Sequence, residues 1–151
     1  IRNALIAGDI LKANKMLGRL YSFKGKVVKG DGRGKDLGFP TANLVVENED
    51  KLVPAKGIYA SECIVDGEKY YGLLSLGSRP TFHTDGDVIP EFYVFDFNKD
   101  IYGKVLEVNL VEKIRDEEKF NSVEELISRM KMDEETGKEI LSKLINPGLS
   151  A

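Results

Sequence analysis

"GIYASECIVDGEKYYGLLSLG", residues 57–77, decides the fold class of this chain. Apolar and β-branched residues recur through both halves, and Asp66-Gly67 stands between them. An Asp-Gly pair accepts the positive φ angles of a tight hairpin turn, so the stretch reads as two antiparallel strands. "FKGKVV" (23–28), "ANLVVE" (42–47) and "EFYVFDFN" (91–98) read as further strands. "KVLEVNLVEKI" (104–114) alternates so that Leu106, Val108 and Leu110 share a face. Residues 100–103 make the turn before it. Several short strands spaced by turns, with no helix between them, predict an antiparallel sheet that closes into a barrel.

Helical patterns flank the strands. In residues 1–20, Asp9 caps a short helix, Ile10, Ala13, Met16 and Leu17 give it a stripe, and Gly18 ends it. A helix this short is marginal alone, so 1–20 reads as a linker to an upstream domain and 21–151 as the barrel domain. "NSVEELISRM" (121–130) opens on a capping box, Ser122 with Glu125, and carries Val123, Ile127 and Met130 on one face. "DEETGKEILSKLI" (133–145) reads as a second helix with Ile140, Leu141, Leu144 and Ile145 as its stripe, ended by Pro147 and Gly148. Both are expected to cover the barrel.

The chain has 151 residues, the size of one domain, with 42% apolar and 31% charged residues. A net charge of −3 gives no general electrostatic case for nucleic acid or an anionic membrane surface. Any anion must be held by local arrangement. The single cysteine, Cys63, lies in a strand pattern and reads as a buried, inert thiol. One cysteine permits no intrachain disulfide, which fits a reducing cytoplasm. No apolar run approaches membrane-spanning length. The start at Ile1 reads as a piece of a longer protein.

"GDGRGKDLGFPTANL" (30–44) concentrates glycine and positive charge in one loop. Glycine-rich backbone can turn its N–H groups inward to cradle phosphate oxygens, and Arg33 and Lys35 add charge. A long flexible connection between two strands explains the glycines equally well. The loop matches neither the P-loop nor the dinucleotide fingerprint. Its ending shifts the balance. Pro40 fixes its own φ and biases Phe39 toward extended backbone. Thr41 and Asn43 are two apart, so on a strand they face the same way. A hydroxyl and an amide oxygen beside a phosphate loop are hard oxygen ligands that suit magnesium. Glu91 opens an apolar strand and is a candidate general base, against the commoner reading as a solvated strand end. His83, the only histidine, receives no role.

Taken in order, "GKVVKGDGRGKDLGFPTANL", "PAKGIYA", "GLLSLGSRPTF", "EFYVFDFNKDIYGK" and "IRDEEKFNSVEEL" resemble riboflavin kinases, from Leu17 past Leu126. The form most resembles the C-terminal kinase module of bacterial bifunctional riboflavin kinase/FAD synthetases. "IRNALIAGDILKANKMLGR" resembles the junction to their upstream FMN adenylyltransferase domain, which the chain lacks. The resemblance implies a six-stranded antiparallel Greek-key barrel and transfer of phosphate from ATP to riboflavin, giving FMN. It implies nucleotide binding by Gly30, Gly32, Arg33, Gly34, Lys35, Gly38, Pro40 and Thr41. It puts magnesium on Thr41 and Asn43, catalysis on Glu91 and Asn43, and flavin contacts on Arg115 and Phe120. The alternative is a non-catalytic flavin- or nucleotide-binding module on the same barrel.

Overall fold

The computed structural model describes residues 1–28, 41–47, 51–78, 88–96 and 100–145. Among them six strands form: β1 (Tyr21–Val28), β2 (Ala42–Val46), β3 (Gly57–Val65), β4 (Glu68–Ser78), β5 (Val88–Val94) and β6 (Val105–Arg115). Asp66 (φ 53°) and Gly67 (φ 79°) both take left-handed angles and join β3 to β4, as their sequence requires. The sheet closes in the order β1-β2-β5-β4-β3-β6, with every neighbouring pair antiparallel. The chain therefore leaves β2 to start β3 elsewhere, and leaves β5 to reach β6. These two crossovers give the expected Greek-key barrel.

Alternation along each strand decides what fills the interior. Leu106, Val108 and Leu110 all point inward, each with 0% exposure, as their spacing predicts. Tyr59, Leu74 and Phe92 meet them from the other side and are equally sealed. Tyr59 donates its hydroxyl to the Ala55 carbonyl, which satisfies its polar end inside the barrel.

The N-terminal pieces pack onto the barrel as α1 (Arg2–Ala7) and α2 (Ile10–Leu17). The Asp9 side chain accepts the Lys12 N–H, and Gly18 closes α2 in a left-handed conformation. Ile10 and Ala13 are buried, whereas Met16 is exposed. Positions 10, 13 and 17 share a helix face; position 16 falls off it. Asn14 ties α2 to the sheet: its amide donates to the Leu110 carbonyl (2.9 Å) and its oxygen accepts the Tyr21 N–H (2.6 Å).

At the other end, one helix replaces the two expected. The third helix, α3, runs unbroken over Val123–Ile145. Ser122 accepts the Glu125 N–H, one half of the capping box, while the Glu125 carboxylate accepts the Asn121 N–H rather than that of Ser122. Between Met130 and Asp133 stand only Lys131 and Met132, neither of which stops a helix. The buried seam of α3 is Asp133, Gly137 and Leu141. Two of these are not apolar, so the hydrophobic period lapses where the helix does not. A Cβ on Gly137 would stand 2.7 Å from Leu73 Cδ2, which shows how closely α3 lies on the outer face of β4. The expected stop at Pro147 and Gly148 lies outside the described residues.

Burial pushes the Cys63 thiol up from 9.0 to about 12, with the Glu62 carboxylate adding to it. Burial likewise pushes the Tyr59 phenol from 10.0 to about 12, with Asp116 adding to it. Both groups hold their protons more tightly folded than unfolded. The stability they contribute is whole below pH 9.0 and is lost as pH rises through the window to about 12. The urea midpoint is expected to be flat up to that window and to fall within it. Near neutral pH, Cys63 should react with a thiol reagent only after unfolding.

Candidate active site

Six strands of a closed sheet bring distant residues into register. Asn43 on β2 stands directly opposite Glu91 on β5. Glu91 in turn stands opposite Ser75 on β4, Ser75 opposite Ile58 on β3, and Ile58 opposite Arg115 on β6. Five positions scattered over the sequence thus make one row around the barrel. Directly opposed side chains share a face, with Cβ atoms about 4.5–5.5 Å apart. The face is the outer one, since Leu44 and Phe92, the sequence neighbours of Asn43 and Glu91, belong to the interior cluster.

The row lies at one end of the barrel. β1 ends at Val28, which pairs with Asn43, and β2 begins one residue earlier at Ala42. Thr41 is half-buried immediately before that strand. Asn43 is only 6% exposed although it stands on the outer face, and Glu91 is half-buried. A hydroxyl, an amide and a carboxylate therefore gather where β1, β2 and β5 meet. Among the described residues, no group of three His, Cys, Asp or Glu could hold a metal by itself. The donor set fits a hard cation shared with ligand oxygens.

Arg115 closes the other end of the row, three strands from Glu91. A register shift between Ile58 and Tyr59 gives β6 an extra residue there. Such irregularities re-aim side chains, and here Ile114 and Arg115 both reach the α3 side. Arg115 makes a two-pronged ion pair with Asp133: Nε to Oδ1 2.9 Å, Nε to Oδ2 3.0 Å, Nη2 to Oδ2 2.8 Å. Nη1 donates to the Asp116 carbonyl (3.1 Å), and the guanidinium carbon lies 5.7 Å from the centre of the Phe120 ring. Arg115 and Phe120, paired in the sequence reading, are thus neighbours.

The remaining expected nucleotide residues, Gly30, Gly32, Arg33, Gly34, Lys35, Gly38 and Pro40, lie outside the described residues, as does His83. Sequence reasoning passed over three polar residues. Ser75 sits beside Glu91, and its signal was a small polar residue at an outward position of β4. Glu117 lies against Gly77, where an added Cβ would stand 2.9 Å from Glu117 Oε1 and 3.9 Å from Ser75 Oγ. Asp133 gave no signal beyond its place in a helical pattern.

Residues 17–141 match the family model described as Flavokinase, riboflavin kinase. A bifunctional riboflavin kinase/FMN adenylyltransferase of Listeria monocytogenes is 42% identical over 144 residues, 95% of this chain and 46% of that protein. Its Bacillus subtilis counterpart is 40% identical over 146 residues, again 95% and 46%. This chain spans about half the length of the curated relatives it matches. A solved riboflavin kinase of Trypanosoma brucei superposes with a TM-score of 0.58 at 25% identity, over 81% of this chain and 77% of its own. A Streptococcus pneumoniae chain described as a macrolide-efflux protein superposes with a TM-score of 0.84 at 39% identity, over 91% of this chain and 44% of its own. In the present chain no helix among the described residues is long and apolar enough to cross a membrane. Family model, relatives and barrel agree on one assignment: the chain belongs to the riboflavin kinase family.

Proposed function

We propose that this chain transfers the γ-phosphate of ATP to the 5′-hydroxyl of the ribityl chain of riboflavin, releasing FMN and ADP. One observation carries the site assignment: Glu91, the candidate base, stands opposite Asn43 and one strand from the residue after Thr41. Phosphoryl transfer depends on positioning and charge neutralisation more than on covalent catalysis. Glu91 accepts the proton of the ribityl hydroxyl as its oxygen bonds to the γ-phosphorus and the bond to the β-phosphate oxygen breaks. Asn43, held opposite, fixes where that carboxylate points. Thr41 and Asn43 would hold magnesium, which when bound neutralises phosphate charge. The glycine loop of residues 30–38 would bind the phosphates with its backbone N–H groups.

Riboflavin is long, with its ring at one end and the reacting hydroxyl at the other. Glu91 and Arg115 lie three interstrand steps apart at the same end of the barrel, so the two ends of the ligand are assigned to different strands. Phe120 and the exposed Val123 offer apolar surface for the ring at the Arg115 end. In the longer relatives an adenylyltransferase accompanies the kinase, and residues 1–20 suit a junction to such a domain. The 151-residue chain is assigned the kinase step alone. ATP dependence and a buried thiol both suit the cytoplasm.

Incubating the chain with ATP, magnesium and riboflavin should give FMN and no FAD by chromatography. Absence of FMN would refute the assignment. Glu91→Gln keeps the shape but cannot accept the proton, so turnover should fall by about 10²–10⁴-fold. Riboflavin affinity, measured at equilibrium on the same variant, should barely change, because the lost interaction belongs to the transition state. Turnover within a few-fold of the parent would make Glu91 an ordinary strand end. Thr41→Val is nearly isosteric but offers no oxygen. Titration with ADP should show magnesium strengthening binding in the parent and not in the variant.

A further inference from the structure

We propose that Asp133, on α3, is a positioning residue for the flavin end of the site. It holds the Arg115 guanidinium in one plane and, through it, fixes the path of residues 116–120 up to the Phe120 ring. The inference rests on the riboflavin kinase reading. Arg115 and Asp133 form a deeply buried pair, their side chains 9% and 5% exposed. A buried pair is weak evidence for stability, since apolar residues of similar volume often serve a fold as well. What the pair supplies and apolar packing does not is direction. A guanidinium fork meets a carboxylate in one plane, and here Nε and Nη2 are both committed to Asp133. That leaves Nη1 aimed at the Asp116 carbonyl and the guanidinium carbon over the Phe120 ring.

Residues 116–119 are all exposed, so apolar burial does not set their course. The fork holds the start of the segment together with the Lys113–Asp116 ion pair, and the ring lies at its end. Arg129 attends the same carboxylate more loosely, 3.8 Å from Oδ1, and pairs outward with Glu118 at 3.4 Å. α3, the tail of β6 and the segment between them therefore converge on one carboxylate. With its nitrogens so engaged, Arg115 serves the flavin by presenting Phe120 and the 116–120 backbone.

The test is equilibrium riboflavin binding, read by quenching of flavin fluorescence, beside steady-state kinetics on the same proteins. Asp133→Asn should weaken riboflavin binding about ten-fold, since the segment must then be ordered at the ligand's expense. Its kcat and its KM for ATP should stay near parental values. Because Asp133→Asn strands a buried cation and can unfold the chain, Arg115→Met/Asp133→Leu is measured with it. This double variant restores packing without the fork and should show a parental melting temperature with the same loss of riboflavin affinity. Parental riboflavin binding in the folded double variant would overturn the inference. So would a loss shared equally by ATP and riboflavin. A parent chain that binds no riboflavin would instead overturn the functional reading beneath it.

Discussion

Closure of the sheet along β3 and β6 is the constraint on which the rest of this molecule depends. Without that seam, β6 and β1 would form one edge of an open ribbon, and the row from Asn43 to Arg115 would not exist. The seam is built from local chemistry: Leu110 and Val108 fill the interior while Asn109 donates to the buried Glu62 carboxylate on the outer face (2.9 Å). Register then does the work of assembly. Opposed residues share a face, and a slip of one residue would turn Asn43 and Glu91 into the barrel. The hydrophobic interior thus fixes the geometry of polar groups that never touch it.

The helix α3 depends on the same seam from outside. Its buried residues meet the barrel in different ways: Asp133 through a charge pair with Arg115 on β6, Gly137 through a close approach to Leu73 on β4, and Leu141 through apolar burial. Of the three, the charge pair is the most demanding. Desolvating both ions costs several kcal/mol each, offset only by good geometry. The geometry here is a double-pronged fork, and the register shift in β6 is what lets Arg115 reach it. Removing Asp133 would leave the buried Arg115 charge without its carboxylate, whereas removing Arg115 would leave Asp133 only the looser Arg129 at 3.8 Å.

Much of this was legible in the chain itself, and the gaps have physical causes. Asp66-Gly67 announced the hairpin because few dipeptides accept two positive φ angles. Leu106, Val108 and Leu110 announced β6 because period two has no other common cause. Ser122 and Glu125 announced the start of α3. Its continuity was hidden because the buried seam passes through Asp133, so the apolar stripe of 121–130 has no apolar residue to carry it across Lys131 and Met132 into the next stretch. Asp133 and Gly137 are buried for reasons of partner and proximity, which a single residue's character does not carry. Glu91 and Asn43 were legible as separate candidates. That they face one another is a property of the closed sheet and of no local stretch. Ser75 was missed for the same reason.

The row also keeps a cation and a carboxylate apart on one face. In a ring of six strands, β5 and β6 are three steps apart in either direction, so Glu91 and Arg115 are as far separated as the barrel allows. About 14 Å of sheet separates them along the row. The positions between them carry no charge: Ser75 is a hydroxyl and Ile58 is apolar. Asp133 then neutralises Arg115 where it stands. Burying the cation's partner on α3, outside the sheet, keeps the guanidinium engaged there as a two-pronged fork.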